Sequence, residues 1–146
     1  LMAAGPGQQA RLHPVPTGLS SPEEGARAYG ATLAQLCAGT PPVLDLVLLG
    51  LGEDGHTASL FPGTAATGVR DRPVTVSEGK GLPRITLTAP VLSSARKVVF
   101  LVSGSDKQQA LRRLLDPAEP AERTPARLAQ PATEMLVLAD TAAAPR

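Results

Sequence analysis

Apolar and polar positions follow two rhythms along this chain, one of about four residues and one of continuous short runs. From Ser20 to Cys37 the side chains Ala26, Tyr29, Leu33 and Leu36 recur at helical spacing, which predicts a helix with one buried face. Ser21 and Glu24 form a capping box, Pro22 suits the first helical position, Glu23 favours the positive end of the dipole, and Gly39 ends the helix. Leu46 to Leu49 and Val98 to Val102 are short unbroken apolar runs, as expected of strands buried on both faces of a parallel sheet, and Met135 to Ala139 is a third. Arg84 to Thr88 alternates polar and apolar side chains and reads as a strand with one face buried. Pro73 to Val76 is a shorter strand, separated from it by a polar loop over Ser77 to Pro83 that contains Lys80.

The connecting pieces read as helices and turns. Thr57 to Phe61 begins a helix that Pro62 and Gly63 stop, and Ala89 to Ala95 is a short helix or turn. After Ser103-Gly104-Ser105 a further helix shows Ala110, Leu111, Leu114 and Leu115 on its apolar face, with Ser105 as N-cap and Asp106 in its first turn. Asp116 to Ala121 is a proline-rich linker, Ala126 to Ala129 a short helical piece, and Ala142 to Ala144 the opening of a terminal helix. Helices alternating with apolar strands define the class: α/β, a three-layer α/β/α arrangement with a mostly parallel sheet, residues 1–146 forming one domain.

Composition narrows the function. The 14 basic and 13 acidic side chains leave a net charge of +1, and no basic block stands out, which argues against nucleic acid or an anionic membrane as partner. No apolar run approaches the roughly 20 residues of a membrane span, and no signal peptide is expected. The single cysteine, Cys37, excludes an internal disulfide and fits a cytoplasmic location; its simplest role is a small buried hydrophobe at a helix end. With no tryptophan, two phenylalanines and one tyrosine, the core must be Leu, Val and Ala, while 15 prolines and 14 glycines imply many loops.

The chemistry concentrates in Asp45 to Gly63, DLVLLGLGEDGHTASLFPG. An apolar strand breaks into Gly50, Gly52 and Gly55, with Glu53, Asp54 and His56 between and after them. Ligands of open α/β sheets bind beyond the carboxyl ends of strands, so Asp54 and His56, two residues apart, are a candidate catalytic pair. The glycines also spell G-x-G-x-x-G, as a dinucleotide-binding turn does, with Asp71 about twenty residues on. Asp71 lies in Arg70-Asp71-Arg72-Pro73 rather than at a strand end, and Glu53 and Asp54 are poor neighbours for a pyrophosphate, which argues against that reading. Lys107 opposes the dipole of its helix unless an anion sits at that terminus; composition alone favours a solvated lysine.

Three stretches together resemble the 6-phosphogluconolactonase family, within the wider glucosamine-6-phosphate isomerase/6-phosphogluconolactonase group. They are Asp45 to Gly63; RITLTAPVLSSARKVVFLVSGSDK, Arg84 to Lys107; and the ending Gln130-Pro131 with LADTAAA, Leu138 to Ala144. The resemblance spans Ser21 to Ala144 and implies hydrolysis of 6-phosphogluconolactone to 6-phosphogluconate in the pentose phosphate pathway, a carboxylic ester hydrolase acting on a small sugar-phosphate lactone. It implies no metal, nucleotide or other cofactor. His56 would act as general base and later acid, because imidazole changes charge near neutral pH. Asp54 would orient the imidazole or the substrate hydroxyls. Gly52 and Gly55 would shape the turn and lend backbone N–H groups to the oxyanion. Lys107 with Arg84 would hold the phosphate, Lys80 being a weaker candidate.

The deaminase/isomerase branch of the group continues Gly-His-Ile-Ala-Phe-Asn-Glu-Pro, where the glutamate serves acid/base chemistry. Here the octet is Gly55-His56-Thr57-Ala58-Ser59-Leu60-Phe61-Pro62, and Phe61 cannot transfer a proton. Against the family pattern the chain corresponds to a C-terminal portion: the family's Gly-Gly-Ser-Thr-Pro-like phosphate loop and Asp-Glu-Arg segment do not occur, residues 1–20 resemble a loop-like remnant of the other half, and Leu136-Val137-Leu138 stands where the family has a tryptophan. The expectation is therefore an incomplete sheet with exposed apolar surface and an open edge. The alternative function is a non-catalytic sugar-phosphate-binding module or inactive truncated homologue.

Overall fold

The computed structural model describes residues 10–145; residues 1–9 of the expected loop-like remnant, and Arg146, lie outside the described residues, while 10–20 hold no helix or strand. In chain order the elements are α1 (Pro22–Leu36), β1 (Val47–Leu49), β2 (Val74–Gly79), β3 (Leu82–Leu87), α2 (Ala89–Ser94), β4 (Lys97–Val102), α3 (Gln108–Leu115) and β5 (Glu134–Ala139). Short 3₁₀ turns cover Ala65–Gly68, Ser105–Lys107 and Pro125–Leu128.

Helix α1 starts where its cap residues dictate. Ser21 Oγ accepts the Glu24 N–H at 3.2 Å, and Glu24 Oε2 reaches back to the Ser20 N–H at 3.2 Å, closing the capping box one residue earlier than expected. Ala26 and Leu33 are buried and Tyr29 is half-buried against Val74, Val76 and Ile85 of the β2–β3 hairpin. Leu36 remains 55 % exposed, so the predicted face is shorter by one turn.

The main sheet has the order β1-β4-β5 and is parallel throughout. Its register places Val47, Leu49, Val98, Phe100, Val102 and Val137 on one face. That face forms the core with Leu92 of α2 and Ala110, Leu111 and Leu114 of α3; Phe100, Leu60 and Leu92 are fully buried there. The opposite face carries Leu48, Leu101, Leu136 and Leu138, all at least 38 % exposed. The apolar runs predicted to be buried on both faces are thus covered mainly on one face among the described residues, Val99 being the buried side chain of the other. The α/β class and the mostly parallel sheet stand as expected.

Four local expectations are corrected. The polar loop over Ser77 to Pro83 is mostly an antiparallel hairpin, in which Ser77 pairs with Arg84 and Gly79 with Leu82. Its two-residue turn is Lys80-Gly81, both at positive φ (53° and 76°), the geometry that matches strand twist. Thr57 to Phe61 is a tight turn and not a helix. The Thr57 hydroxyl donates to the Gly50 carbonyl at 2.8 Å, and the Ser59 N–H donates to Thr86 Oγ1 at 3.1 Å, so tertiary partners take the groups a helix would use. Ser105 caps no helix: Gly104 and Lys107 hold the cap positions of the 3₁₀ turn and of α3. Ala142 to Ala144 is a turn around Asp140, whose Oδ1 accepts the Ala143 N–H at 2.7 Å. Among the described residues no helix is long and apolar enough to cross a membrane.

Candidate active site

Because β1, β4 and β5 run parallel, their carboxyl ends share one edge of the sheet. Three connections leave that edge: 50–56 after β1, 103–107 after β4 and 140–144 after β5. The first is the glycine-rich loop. The Gly52 N–H donates to the His56 carbonyl and the Gly55 N–H to the Gly52 carbonyl, both at 2.9 Å, which folds the loop back on itself. Gly55 sits at φ +92°, a region that favours glycine.

This turn brings Asp54 and His56 together. Asp54 Oδ1 lies 2.6 Å from His56 Nδ1 and also accepts the His56 backbone N–H at 3.0 Å. Burial by itself would push the Asp54 carboxyl up, but the His56 N–H, the imidazole hydrogen bond and its charge together hold it below its ordinary value of 3.8. Nδ1, and not Nε2, is the ring nitrogen that faces the carboxylate. The imidazole side chain is 21 % exposed and lies on Phe61, ring centroids 4.4 Å apart at 34°. Phe61 is held by Gly79 in turn: a Cβ there would fall 2.0 Å from the ring.

Lys107 reaches the same edge from β4. Its Nζ lies 3.0 Å from Asp106 Oδ2 and 3.6 Å from Glu53 Oε1, tying the two connections together. The hydrogen bond it donates to Asp106 raises the lysine above its ordinary 10.5; burial works against this and the Asp106 and Glu53 charges add to it. Asp140 fixes the 103–107 connection from β5. Its carboxylate accepts the Ser103 hydroxyl at 2.6 Å and the Gly104 N–H at 3.1 Å, and these bonds, led by the hydroxyl, hold its pKa below 3.8.

The remaining expected residues fall as follows. Arg84 lies on β3, where its Nε donates to the Gly79 carbonyl at 3.3 Å, and Gly79 in turn lies against the ring of Phe61. Gly52 and Gly55 shape the loop, but their N–H groups are already engaged within it and are not free for an oxyanion. Local pattern gave no signal for Glu53, Arg113 or Asp140 as site residues, since their partners lie on other connections: Arg113 and Glu53 touch across 60 positions of sequence. Among the described residues no group of three or more His, Cys, Asp or Glu side chains is arranged to hold a metal ion.

The family model described as Glucosamine-6-phosphate isomerases/6-phosphogluconolactonase matches residues 1–138. The chain belongs to this family. It is 48 % identical over 135 residues to the 6-phosphogluconolactonase of Synechocystis sp., covering 90 % of this chain and 56 % of that protein. Human 6-phosphogluconolactonase is 42 % identical over 118 residues, 78 % of this chain and 45 % of the relative. The crystal structure of 6-phosphogluconolactonase from Leishmania guyanensis matches with a TM-score of 0.73 at 31 % identity, over 82 % of this chain and 51 % of that one. A monomeric glucosamine-6-phosphate deaminase shares the fold at 22 % identity and a TM-score of 0.68, over 86 % and 55 % of the two chains. The chain spans about half the length of the family members it matches.

Proposed function

We propose that this chain carries the catalytic pair of a 6-phosphogluconolactonase, hydrolysing 6-phosphogluconolactone to 6-phosphogluconate in the cytoplasm. The observation that supports it is the 2.6 Å Asp54–His56 contact, presented on the carboxyl edge of a parallel sheet in a chain 48 % identical to a 6-phosphogluconolactonase. Asp54 holds the imidazole with Nε2 toward the substrate. His56 takes a proton from water as the water oxygen bonds to C1, and the carbonyl becomes a tetrahedral oxyanion. The C1–ring oxygen bond then breaks, and His56 returns the proton to the departing ring oxygen. Lys107 holds the phosphate, exchanging Glu53 or Asp106 for it as partner, and Arg84 stands as the second phosphate candidate. Phe61 packs on the imidazole where the deaminase branch needs a glutamate, which favours lactone hydrolysis over ring-opening deamination.

The Lys107 ammonium beside Glu53 and Asp106 carries one further reading, a sugar-phosphate-binding module without turnover. Activity on freshly generated lactone, corrected for spontaneous hydrolysis and run beside His56→Ala, separates the readings. Turnover that disappears in His56→Ala is expected; equal turnover in both would remove His56 from the reaction. Binding of 6-phosphogluconate without hydrolysis would favour the module.

A further inference from the structure

Beside the glycine loop lies a partly buried ionic cluster of Glu119, Arg113 and Arg123 that the reaction does not use. Glu119 has its side chain only 7 % exposed, within a segment otherwise rich in proline and turns. Its Oε1 accepts the hydroxyl of Thr124 at 2.6 Å and lies 3.8 Å from Arg113 Nε and 3.6 Å from Arg123 Nε. Arg113, from α3, is 17 % exposed, and its buried Nε has no hydrogen-bond partner. Its Nη2 donates to the Glu53 carbonyl at 3.1 Å. A buried carboxylate and a partly buried guanidinium are costly to keep unless each is paired, and an apolar pair of similar volume would fill the space as well.

What an apolar pair could not do is hold the loop. The Glu53 carbonyl precedes Asp54 and is held by Arg113. The Gly55 carbonyl follows Asp54 and accepts the Ala126 N–H at 2.9 Å, while a Cβ on Gly55 would press on Thr124 at 3.0 Å. Thr124 is itself fully buried. The backbone on both sides of Asp54 is therefore gripped, one side by Arg113 and the other by the 124–126 segment, and Glu119 joins the two grips through Thr124 and Arg113.

We infer that Arg113 and Glu119 are positioning residues, which fix the backbone flanking Asp54 so that its carboxylate faces His56 Nδ1. The geometric part stands on the loop alone; its catalytic meaning rests on the reading of Asp54 and His56 given above. The planar guanidinium of Arg113 sets Nη2 on the Glu53 carbonyl and Nε 3.8 Å from Glu119 Oε1, two places that the single nitrogen of a lysine ammonium cannot occupy at once. Glu119→Gln keeps an acceptor for Thr124 and removes only the charge facing Arg113 and Arg123.

The test needs no substrate. Amide exchange and the imidazole ¹⁵N spectrum are recorded for the wild-type chain and for Arg113→Ala, Arg113→Lys, Glu119→Gln and Asp54→Asn. Exchange at Gly52 and Gly55 is expected to accelerate about tenfold in Arg113→Ala, and less in Arg113→Lys and Glu119→Gln, with the β4 amides Val98 to Phe100 within twofold of wild type. The His56 ¹⁵N pattern is expected to move toward that of Asp54→Asn. Wild-type loop exchange and a wild-type imidazole pattern in a folded Arg113→Ala overturn the proposal. If Arg113→Ala loses β4 protection as well, Glu119→Gln decides: an unchanged loop and imidazole there overturn it. A wild-type chain without lactonase activity would sink the functional reading and leave these spectra to stand or fall separately.

Discussion

A methyl group on Gly52 would lie 2.0 Å from Nδ1 of His56 and 2.7 Å from Oδ1 of Asp54. Gly52 is thus the floor on which the acid–imidazole pair rests, and the reason for glycine there is the close approach of side chains to its Cα. In Gly52→Ala the pair must move. Displacement by about 1 Å at a reacting centre costs on the order of 10²-fold in rate. Turnover of Gly52→Ala is expected to fall by that order while the thermal midpoint changes little, because the loop lies at the rim of the sheet. Wild-type turnover would contradict the placement.

Asp54 makes stability depend on pH in a definite direction. Its folded-state pKa lies below its unfolded value, so its contribution is present above the ordinary 3.8 and is lost as pH falls through the depressed folded value. Urea midpoints of the wild type and Asp54→Asn, followed from about pH 6 to about pH 3, are expected to converge at the acid end. A gap that widens on acidification would reverse the sign assigned to this carboxylate.

Asp140 anchors the connection that carries Lys107. Removing its grip on Ser103 and Gly104 in Asp140→Ala is expected to raise KM about tenfold, with a smaller effect on kcat. A fall confined to kcat would place Asp140 with the acid–imidazole pair and not with the proposed phosphate anchor, Lys107.

Glu53 competes with any anion for Lys107. Glu53→Gln removes one of the two carboxylates beside the ammonium. Partly exposed ion pairs are weak, so KM is expected to fall by no more than about fivefold, and the gain should shrink at high salt. Lys107→Ala is expected to raise KM and to abolish the effect of Glu53→Gln. Additive effects of the two changes would separate Lys107 from Glu53 in function.

Much of this was legible along the chain. The strands, the capped helix and the α/β class follow from apolar periodicity and local caps, interactions that reach only a few residues. Asp54 and His56 are two positions apart on a glycine turn, so their encounter is also a local matter, and this stretch is one of the three that together carry the resemblance to the lactonases. The helix expected at Thr57 to Phe61 failed because its hydrogen-bonding groups found partners at Gly50 and Thr86, which no local pattern announces.

Register and layering were decided in three dimensions. An unbroken apolar run does not say which of its side chains will meet a neighbour. Packing left Leu48 60 % exposed and buried Leu49 beside it. Parallel pairing of β1, β4 and β5 put Glu53, Lys107 and Asp140 at one edge, and α3 then delivered Arg113 to the Glu53 carbonyl. By itself the sequence determined what short-range forces govern: the elements, the glycine turn and its acid–imidazole pair. Only the tertiary structure decided how that pair is held, because burial, ion pairing and sheet register depend on residues brought together from far apart.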